Sequence, residues 1–325
     1  MNNTPRLGID IALLGFVAVL RWDEKRQVRA QFSNNSSGFR KLSRWLRQHF
    51  AGQVIAGVES TNTYAEALLH WLYAAGHVVY LLNAEQVAHY ARCRGVRNKT
   101  DNSDAAVVAA FLVEHEGTPW VPPAPEQKTL RELTRARSQL IATQTALRCQ
   151  IKTAGPAGAS HLKTVLRAVV AQVASIMQEI ESHLRAHSSL DQQVRRLMTM
   201  DGVGLVTAAI LIAELPPVGP KTDPRSIAGW VGLTPRRYQS GNFELPARLS
   251  RKGNSYVRDA LYMPALVAKR YNPLLRAFAL RLTAKAKRPG AILGAIAHKM
   301  LRILVGMLKS NTDFDPNWSF QKNQP

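Results

Sequence analysis

Four acidic residues stand where carboxylates could share metal ions: Asp10, Glu59, Asp101 and Asp104. Asp10 interrupts the apolar segment LGIDIA and Glu59 follows VIAGV, so both are predicted on strands. Asp101 and Asp104 begin the predicted helix DNSDAAVVAAFL, where residues three apart share a face. Oxygen-only ligands favour Mg²⁺ or Mn²⁺, and a pair of such ions supports phosphoryl transfer. The structural alternatives are a helix N-cap for Asp101 and a buried acid bonded to backbone for Asp10.

A serine among cations forms a second candidate site. Ser240 lies in the segment RRYQSG, which is predicted to be a polar loop. A serine hydroxyl is a weak nucleophile unless a base or a positive field assists it, and cations stabilise the charge that develops at phosphorus. A turn serine in a nucleic-acid-binding loop is the alternative, and the residues alone leave both open. The nearby cations are Arg236, Arg237, Arg248, Arg251 and Lys252.

Two further segments are candidates for nucleic-acid binding. Gly202 and Gly204 lie in DGVG before an apolar helix, whose exposed backbone N–H groups suit a phosphate. Arg97 and Lys99 directly precede the acidic pair Asp101 and Asp104. They would hold a polyanion beside the metal-binding acids.

Composition points to the same kind of partner. The chain of 325 residues has 43 Lys and Arg against 22 Asp and Glu, a net charge of +21. Residues 190–325 carry 21 of the cations and 8 of the acids. Such an excess favours a polyanionic partner, although a ribosomal-type or simply basic surface is the alternative. With two cysteines, no zinc-type spacing and no segment expected to span a bilayer, we expect a cytoplasmic protein that does not contact membranes.

The predicted elements bring the acids together. Residues 6–122 are predicted as three strands followed by helices alternating with two more strands, the element order of an RNase H-like mixed sheet. The first and fourth strands are neighbours in such a sheet. Asp10 and Glu59 should therefore meet at one edge, and the last helix should bring Asp101 and Asp104 to it.

The remaining chain is predicted to be helical, which makes the fold class α/β plus α. Residues 1–122 are predicted to form the RNase H-like domain. Residues 123–189 form a proline-rich linker, non-helical over 118–127, and a helical hairpin or coiled coil broken at 153–160. Residues 190–311 form a mainly helical domain with turns at 201–204, 216–220 and 241–246, and residues 312–325 form a polar tail.

Several motifs in order carry a family resemblance: GID, VES, NKTDNSDA, DGVG, GLTPRRYQSG and SRKGNSYVRDALYMPALVA. Together they resemble insertion-sequence transposases with a RuvC-like DEDD domain and a C-terminal transposase domain, the family of bridge-RNA-guided recombinases. The resemblance covers nearly the whole chain and is most specific in NKTDNSDA and GLTPRRYQSG.

The resemblance implies that Asp10, Glu59, Asp101 and Asp104 bind Mg²⁺ and that Ser240 attacks DNA and becomes covalently linked to it. It also implies a structured guide (bridge) RNA that pairs with donor and target DNA. A homo-oligomer, dimer or tetramer, is expected, with one subunit's acids acting with another's serine.

Two departures from the family pattern occur. The family usually has a lysine soon after its GID motif, where this chain reads GIDIALLGF. The family's EATGTY is ESTNTY here, with Asn62 in place of glycine. Neither change removes an expected metal ligand or the serine.

Two other functions compete with a recombinase. A RuvC-like nuclease for branched DNA would use metal-activated water and would not need Ser240. A non-enzymatic nucleic-acid-binding protein would need none of the four acids. Substitution of Ser240 and of the acids therefore separates the three.

Overall fold

The computed structural model describes residues 4–59, 62–94, 101–115, 117, 119–240, 243–250 and 252–316. Only the backbone is described for residues 62, 63, 85, 101–103, 236–240 and 243–247. The chain divides into two compact units, unit 1 at residues 1–123 and unit 2 at residues 124–325.

Unit 1 is a five-stranded mixed sheet with helices on both faces. Its elements are β1 (Arg6–Ile11), β2 (Gly15–Arg21), β3 (Gln27–Ser33), α1 (Ser36–His49), β4 (Ile55–Glu59), a 3₁₀ turn (Asn62–Ala65), α2 (Glu66–Ala74), β5 (Val78–Leu82), α3 (Ala84–Cys93) and α4 (Asp101–Glu114). The strand order is β3-β2-β1-β4-β5. The β3–β2 and β2–β1 pairs are antiparallel, and the β1–β4 and β4–β5 pairs are parallel. The prediction that the first and fourth strands are neighbours is confirmed.

Alternation along the strands assigns the two faces of this sheet. Leu7 and Ile9 point to the face where α1 and α2 bury Leu42 and Leu68. The opposite face receives α4, whose small residues contact β1 and β2. Gly15 begins β2 and pairs with Ser33 of β3.

Unit 2 is mostly helical. Its elements are α5 (Pro125–Thr153), α6 (Pro156–Ala186), α7 (Ser188–Met198), α8 (Leu205–Glu214), α9 (Pro224–Val231), β6 (Pro235–Ser240), β7 (Phe243–Leu249), α10 (Ser255–Ala260), α11 (Tyr262–Tyr271), α12 (Pro273–Ala284) and α13 (Pro289–Ser310). α5 and α6 form the expected helical hairpin. The predicted mixed sheet followed by mostly helical structure is thus confirmed.

Proline positions shift two predicted boundaries. The linker was expected to stay non-helical through residue 127, but α5 already begins at Pro125. The predicted break over residues 153–160 is only Ala154 and Gly155, because α6 begins at Pro156. Proline fits the first turn of a helix, where its missing N–H has no intrahelical partner in any case.

α13 is the central helix of unit 2. The sequence was expected to hold no segment able to span a bilayer, yet residues 289–310 are long and apolar enough by composition. Met300, Leu301 and Leu304 are among the ten buried residues of this helix, and they join the main core of the unit. Burial inside unit 2 accounts for the apolar composition of α13.

Candidate active site

Asp10 and Glu59 lie at adjacent positions on neighbouring parallel strands. The β1–β4 register pairs Ile9 with Val58, and the two acids are the next residues along. Both side chains are half-buried. Side chains two residues apart on a strand share a face, so Asp10 points the same way as Gly8, and Glu59 the same way as Gly57.

That shared face is the one covered by α4. A Cβ on Gly8 would collide with the carbonyl of Ala105 and the amide of Ala109, so the helix backbone lies directly on the strand. A Cβ on Gly57 would press on the Leu112 side chain. Glycine is required at position 8 because the two backbones approach too closely for any side chain.

The direction of α4 brings its first turn to the acids. Near its other end, the Leu112 carbonyl accepts a hydrogen bond of 3.3 Å from Arg6 Nε, at the start of β1. α4 therefore runs back along β1, and its amino-terminal turn lies at the strand end that carries Asp10. Asp104 is half-buried one residue before the Gly8 contact, and Asp101 is the first residue of the helix.

The structure thus brings Asp10, Glu59 and the start of α4 to one edge and one face of the sheet. The Asp101 side chain lies outside the described residues. Among the side chains that are described, no group of three His, Cys, Asp or Glu is already placed to hold a metal ion. The chemistry of the set nevertheless fits Mg²⁺ or Mn²⁺, since all its donors are carboxylate oxygens.

A well-fixed turn between β1 and β2 borders these acids. The Ala12 amide donates to Gly15 O at 2.8 Å, and Asn34 Nδ2 donates to the carbonyls of Ala12 and Tyr64 at 3.1 Å each. The turn nevertheless presents Leu14 with 85 % of its surface exposed. Leu13 of the same turn is also exposed, so this turn presents two apolar side chains to solvent.

We expect Gly8→Ala to damage unit 1 and its site together. The added methyl collides with the α4 backbone and must push the helix off the strand, which should cost about 1–3 kcal/mol of unfolding free energy. Thermal unfolding and DNA cleavage measure the two effects. Gly219→Ala is the control, because a Cβ there meets nothing within 4 Å. Equal behaviour of the two variants would contradict the close packing of α4.

Ser240 lies at the end of a strand instead of in the predicted polar loop. β6 and β7 form an antiparallel hairpin in which Ser240 pairs with Phe243. The predicted turn at 241–246 is likewise too long, since Phe243 already belongs to β7. The Ser240 side chain is not among those described, but its backbone stands at the tip of the hairpin.

Backbone packing fixes the base of this hairpin. Gly232 ends α9 with φ +81°, and a Cβ there would collide with the Lys252 backbone. Gly253, with φ +122°, lies equally close to the Trp230 carbonyl. The Ser250 amide donates to Thr234 O at 3.0 Å and closes the base.

A buried carboxylate joins the hairpin base to the long helix α5. Glu214, 4 % exposed at the end of α8, accepts two hydrogen bonds from Arg135 of α5, at 2.5 and 2.8 Å. Asn254 Nδ2 donates to the same carboxylate at 2.7 Å, and its Oδ1 caps α10 by accepting from the Val257 amide. We call Arg135, Glu214 and Asn254 the Glu214 network. This network was not predicted from the sequence, although a lone acid at the end of the apolar segment AAILIAEL was a visible signal.

Arg135→Gln should destabilise unit 2 by about 3 kcal/mol, because it leaves the buried Glu214 charge without its cation. Arg195→Gln is the matched control: it breaks the exposed 2.6 Å pair with Asp191 and should change stability much less, because water screens an exposed ion pair. Denaturant unfolding of both variants measures the difference. Similar losses would show that the network does not hold the hairpin base.

The other predicted nucleic-acid residues are distributed as follows. Gly202 has φ +92°, and a Cβ there would lie 2.8 Å from Pro264 O, so close packing on α11 explains this glycine. Gly204 is the N-cap of α8 and is open to solvent. Arg248 and Lys252 are exposed beside the hairpin base. Arg97, Lys99 and Arg251 lie outside the described residues, and of Arg236 and Arg237 only the backbone in β6 is described.

Two protein-family models match the chain, one over the segment that carries the acids and one over the segment that carries Ser240. A DEDD-type IS110 family model described as a transposase matches residues 7–154, which include the four acids. A second model, described as the transposase IS116/IS110/IS902 family, matches residues 194–280, which include Ser240. The chain carries IS110-type transposase domains. The sequence prediction of an insertion-sequence transposase is confirmed at this level.

The relatives of these IS110-type domains extend over most of the chain. A pilin gene-inverting protein of Moraxella bovis is 28 % identical over 321 residues, which covers 95 % of this chain and 97 % of that protein. A probable family 20 transposase of Pseudomonas aeruginosa is 23 % identical, over 74 % of this chain and 80 % of that one. The transposase of the element IS1111A from Coxiella burnetii is 23 % identical over 59 % and 60 % of the two chains.

Proposed function

We propose that this IS110-type protein is a metal-dependent serine recombinase that cuts and rejoins the DNA of an insertion sequence under the guidance of a structured RNA. The observation that carries the proposal is the arrangement of Asp10, Glu59 and the first turn of α4 on one face and edge of the sheet. The strand order supports an RNase H-like assignment of unit 1. The matched transposase domains make DNA the substrate.

The four acids would hold Mg²⁺ or Mn²⁺. Bound ions would offset the charge of a scissile phosphate and lower the pKa of a hydroxyl nucleophile. The acids themselves are brought into place by β1, β4 and α4, whose close packing leaves little freedom at the sheet edge. Asp101 and Asp104, one helical turn apart, would both contribute carboxylate ligands.

Ser240 would supply the nucleophile. Its Oγ attacks phosphorus, a new P–O ester to serine forms, and one P–O ester to a deoxyribose oxygen breaks and leaves that strand with a hydroxyl. A hydroxyl of the partner strand then attacks the phosphoserine, restores a DNA phosphodiester and frees the serine. Phosphoester bonds are conserved in number, so the cycle needs no external energy source.

Rejoining distinguishes this proposal from a simple nuclease. Inverting a gene, as the name of the Moraxella bovis relative describes, requires that cut ends be joined in a new orientation. Two ends that a metal-activated water had hydrolysed could not be sealed to each other without a new source of energy, whereas a phosphoserine ester keeps that energy for rejoining. The near full-length similarity to that relative therefore supports a route that conserves the phosphoester, as the phosphoserine does.

A guide RNA and a homo-oligomer complete the proposal. The net charge of +21 is larger than a small DNA-binding interface requires and suits a second polyanion. In a dimer or tetramer, acids of one subunit act with the serine of another. Mixing an Asp10→Asn protein with a Ser240→Ala protein should then restore part of the cleavage that neither variant shows alone. No recovery at any mixing ratio would place both groups in one subunit.

The function is tested by purifying the protein from cells that carry its element and sequencing the nucleic acid that copurifies. We expect one structured RNA, together with recombination of donor and target plasmids only when that RNA is present. Recombination that proceeds equally without any RNA would refute guidance. Cleavage without joined products would leave the nuclease as the function.

A further inference from the structure

A long stretch of unit 2 contains many cations and no acidic residue. Residues 260–312 contain ten Lys and Arg and no Asp or Glu. This stretch forms α11, α12 and α13, so the cations are held on ordered helices. Charges of one sign in one place repel each other unless an anion binds among them.

Three of these cations meet on the surface between α12 and α13. The Lys299 Nζ lies 4.8 Å from the centre of the Phe278 ring, and the Arg281 Cζ lies 5.6 Å from the same centre. Lys299 and Arg302 are three residues apart on α13, so they share a helix face. We call Arg281, Lys299 and Arg302 the α12–α13 cation cluster.

The ionisation of the cluster reflects this crowding. Burial lowers the pKa of Lys299, and repulsion from Arg281 and Arg302 lowers it further. The pKa of the neighbouring His298 is lowered by burial and then by Arg302. Within the described part of the chain, neither Arg281 nor Lys299 forms an ion pair with a carboxylate. Both cations instead contact the aromatic ring of Phe278.

We propose that the α12–α13 cation cluster binds phosphate groups of a nucleic-acid backbone, as a site separate from both the acids of unit 1 and the Ser240 hairpin. The proposal rests on the proposed function for the identity of the polyanion. A guanidinium presents paired donors to phosphate oxygens, while an ammonium acts as a compact charge beside it. A bound phosphate would offset the repulsion among the three cations.

The cluster is expected to recognise the phosphate backbone and not the base sequence. Phosphates carry no base identity, so the cluster should position a strand without selecting its sequence. Arg281 is exposed, while Lys299 and Arg302 are half-buried. The cations come from two helices that contact each other, so the backbone positions that carry them are held together before a ligand binds.

The test compares two variants that lose the same charge. Arg281→Gln combined with Lys299→Gln removes two cations from the cluster. Arg185→Gln combined with Arg195→Gln removes two cations that are already paired with Glu181 and Asp191, at 3.1 and 2.6 Å. The full-length proteins are titrated with duplex DNA and, separately, with a structured RNA, each over a range of salt concentrations.

We expect the cluster variant to bind more weakly on every sequence and to flatten the slope of log affinity against log salt by about 1 per cation removed. The control variant should keep the wild-type slope, although its net charge is the same. The titration in which the cluster variant loses affinity, with DNA or with RNA, identifies the nucleic acid that occupies the site. Equal slopes for the two variants with both ligands would overturn the proposal.

These results are independent of catalysis. A wild-type protein that binds with a steep salt dependence but never cuts DNA would refute the proposed function, while the slopes would still decide the cluster. Circular dichroism of the cluster variant verifies folding. Phe278→Leu is a second variant that keeps both charges and removes the ring; it should weaken binding less than the loss of the two cations does, and a larger loss would contradict the direct role of the charges.

Discussion

Asp10→Asn is expected to abolish strand cleavage while leaving the protein folded and able to bind nucleic acid. The carboxylate lies half-buried at the sheet edge beside Glu59, and an amide of the same shape cannot supply its charge to a metal ion. Loss of metal-assisted catalysis should lower the cleavage rate by roughly a thousandfold, equivalent to about 4 kcal/mol. Single-turnover cleavage of element-end DNA in Mg²⁺ measures the effect.

Asp23→Asn is the matched control for this experiment. Asp23 lies in the turn between β2 and β3, at the opposite end of the sheet from Asp10, and accepts hydrogen bonds from the Lys25 and Arg26 amides. The same change of charge in the same unit should there leave cleavage unaltered. Cleavage by Asp10→Asn at the wild-type rate, or wild-type cleavage in excess EDTA, would remove the metal site from the account.

Ser240→Ala is expected to eliminate the covalent protein–DNA adduct. The wild-type protein should yield a species that resists SDS, disappears on protease treatment and carries labelled DNA. The variant should show none, because no other group supplies the oxygen that bonds to phosphorus. Asp10→Asn should also lack the adduct, since the metal ions activate the same step.

Ser255→Ala is the control for the serine. Ser255 is an exposed residue at the start of α10, close in sequence to the hairpin base but outside it. Its removal should leave adduct yield unchanged. If Ser240→Ala instead cuts DNA and leaves protein-free ends, water is the nucleophile and the chain acts as a nuclease.

The strand positions of Asp10 and Glu59 followed from sequence because local patterns determine them, and the pairing of their strands followed from the RNase H-like element order. Apolar strands of five to seven residues separated by clear turns predict the sheet, and the parallel pairing of β1 and β4 follows from their order. Asp10 and Glu59 then lie side by side near the carboxyl ends of β1 and β4. The direction of α4 could not be read from sequence, since it depends on the close approach of Ala105 and Ala109 to Gly8.

The serine hairpin of unit 2 was not predicted. β6 and β7 contain Pro235 and Pro246, several charged residues and an irregular register near Arg236, so they lack the apolar alternation that signals a strand. The Glu214 network was invisible for another reason. Arg135 and Glu214 are 79 residues apart in the chain, and only the packing of α5 on α8 brings them together.

Identification of the residue that carries DNA tests the covalent mechanism directly. The adduct formed on element-end DNA in Mg²⁺ is denatured, digested with nuclease and protease, and analysed by tandem mass spectrometry. We expect a single modified peptide with a nucleotide phosphodiester on Ser240, absent from Asp10→Asn protein. A nucleotide attached to any other residue, or quantitative strand cleavage with no modified peptide, would contradict this mechanism.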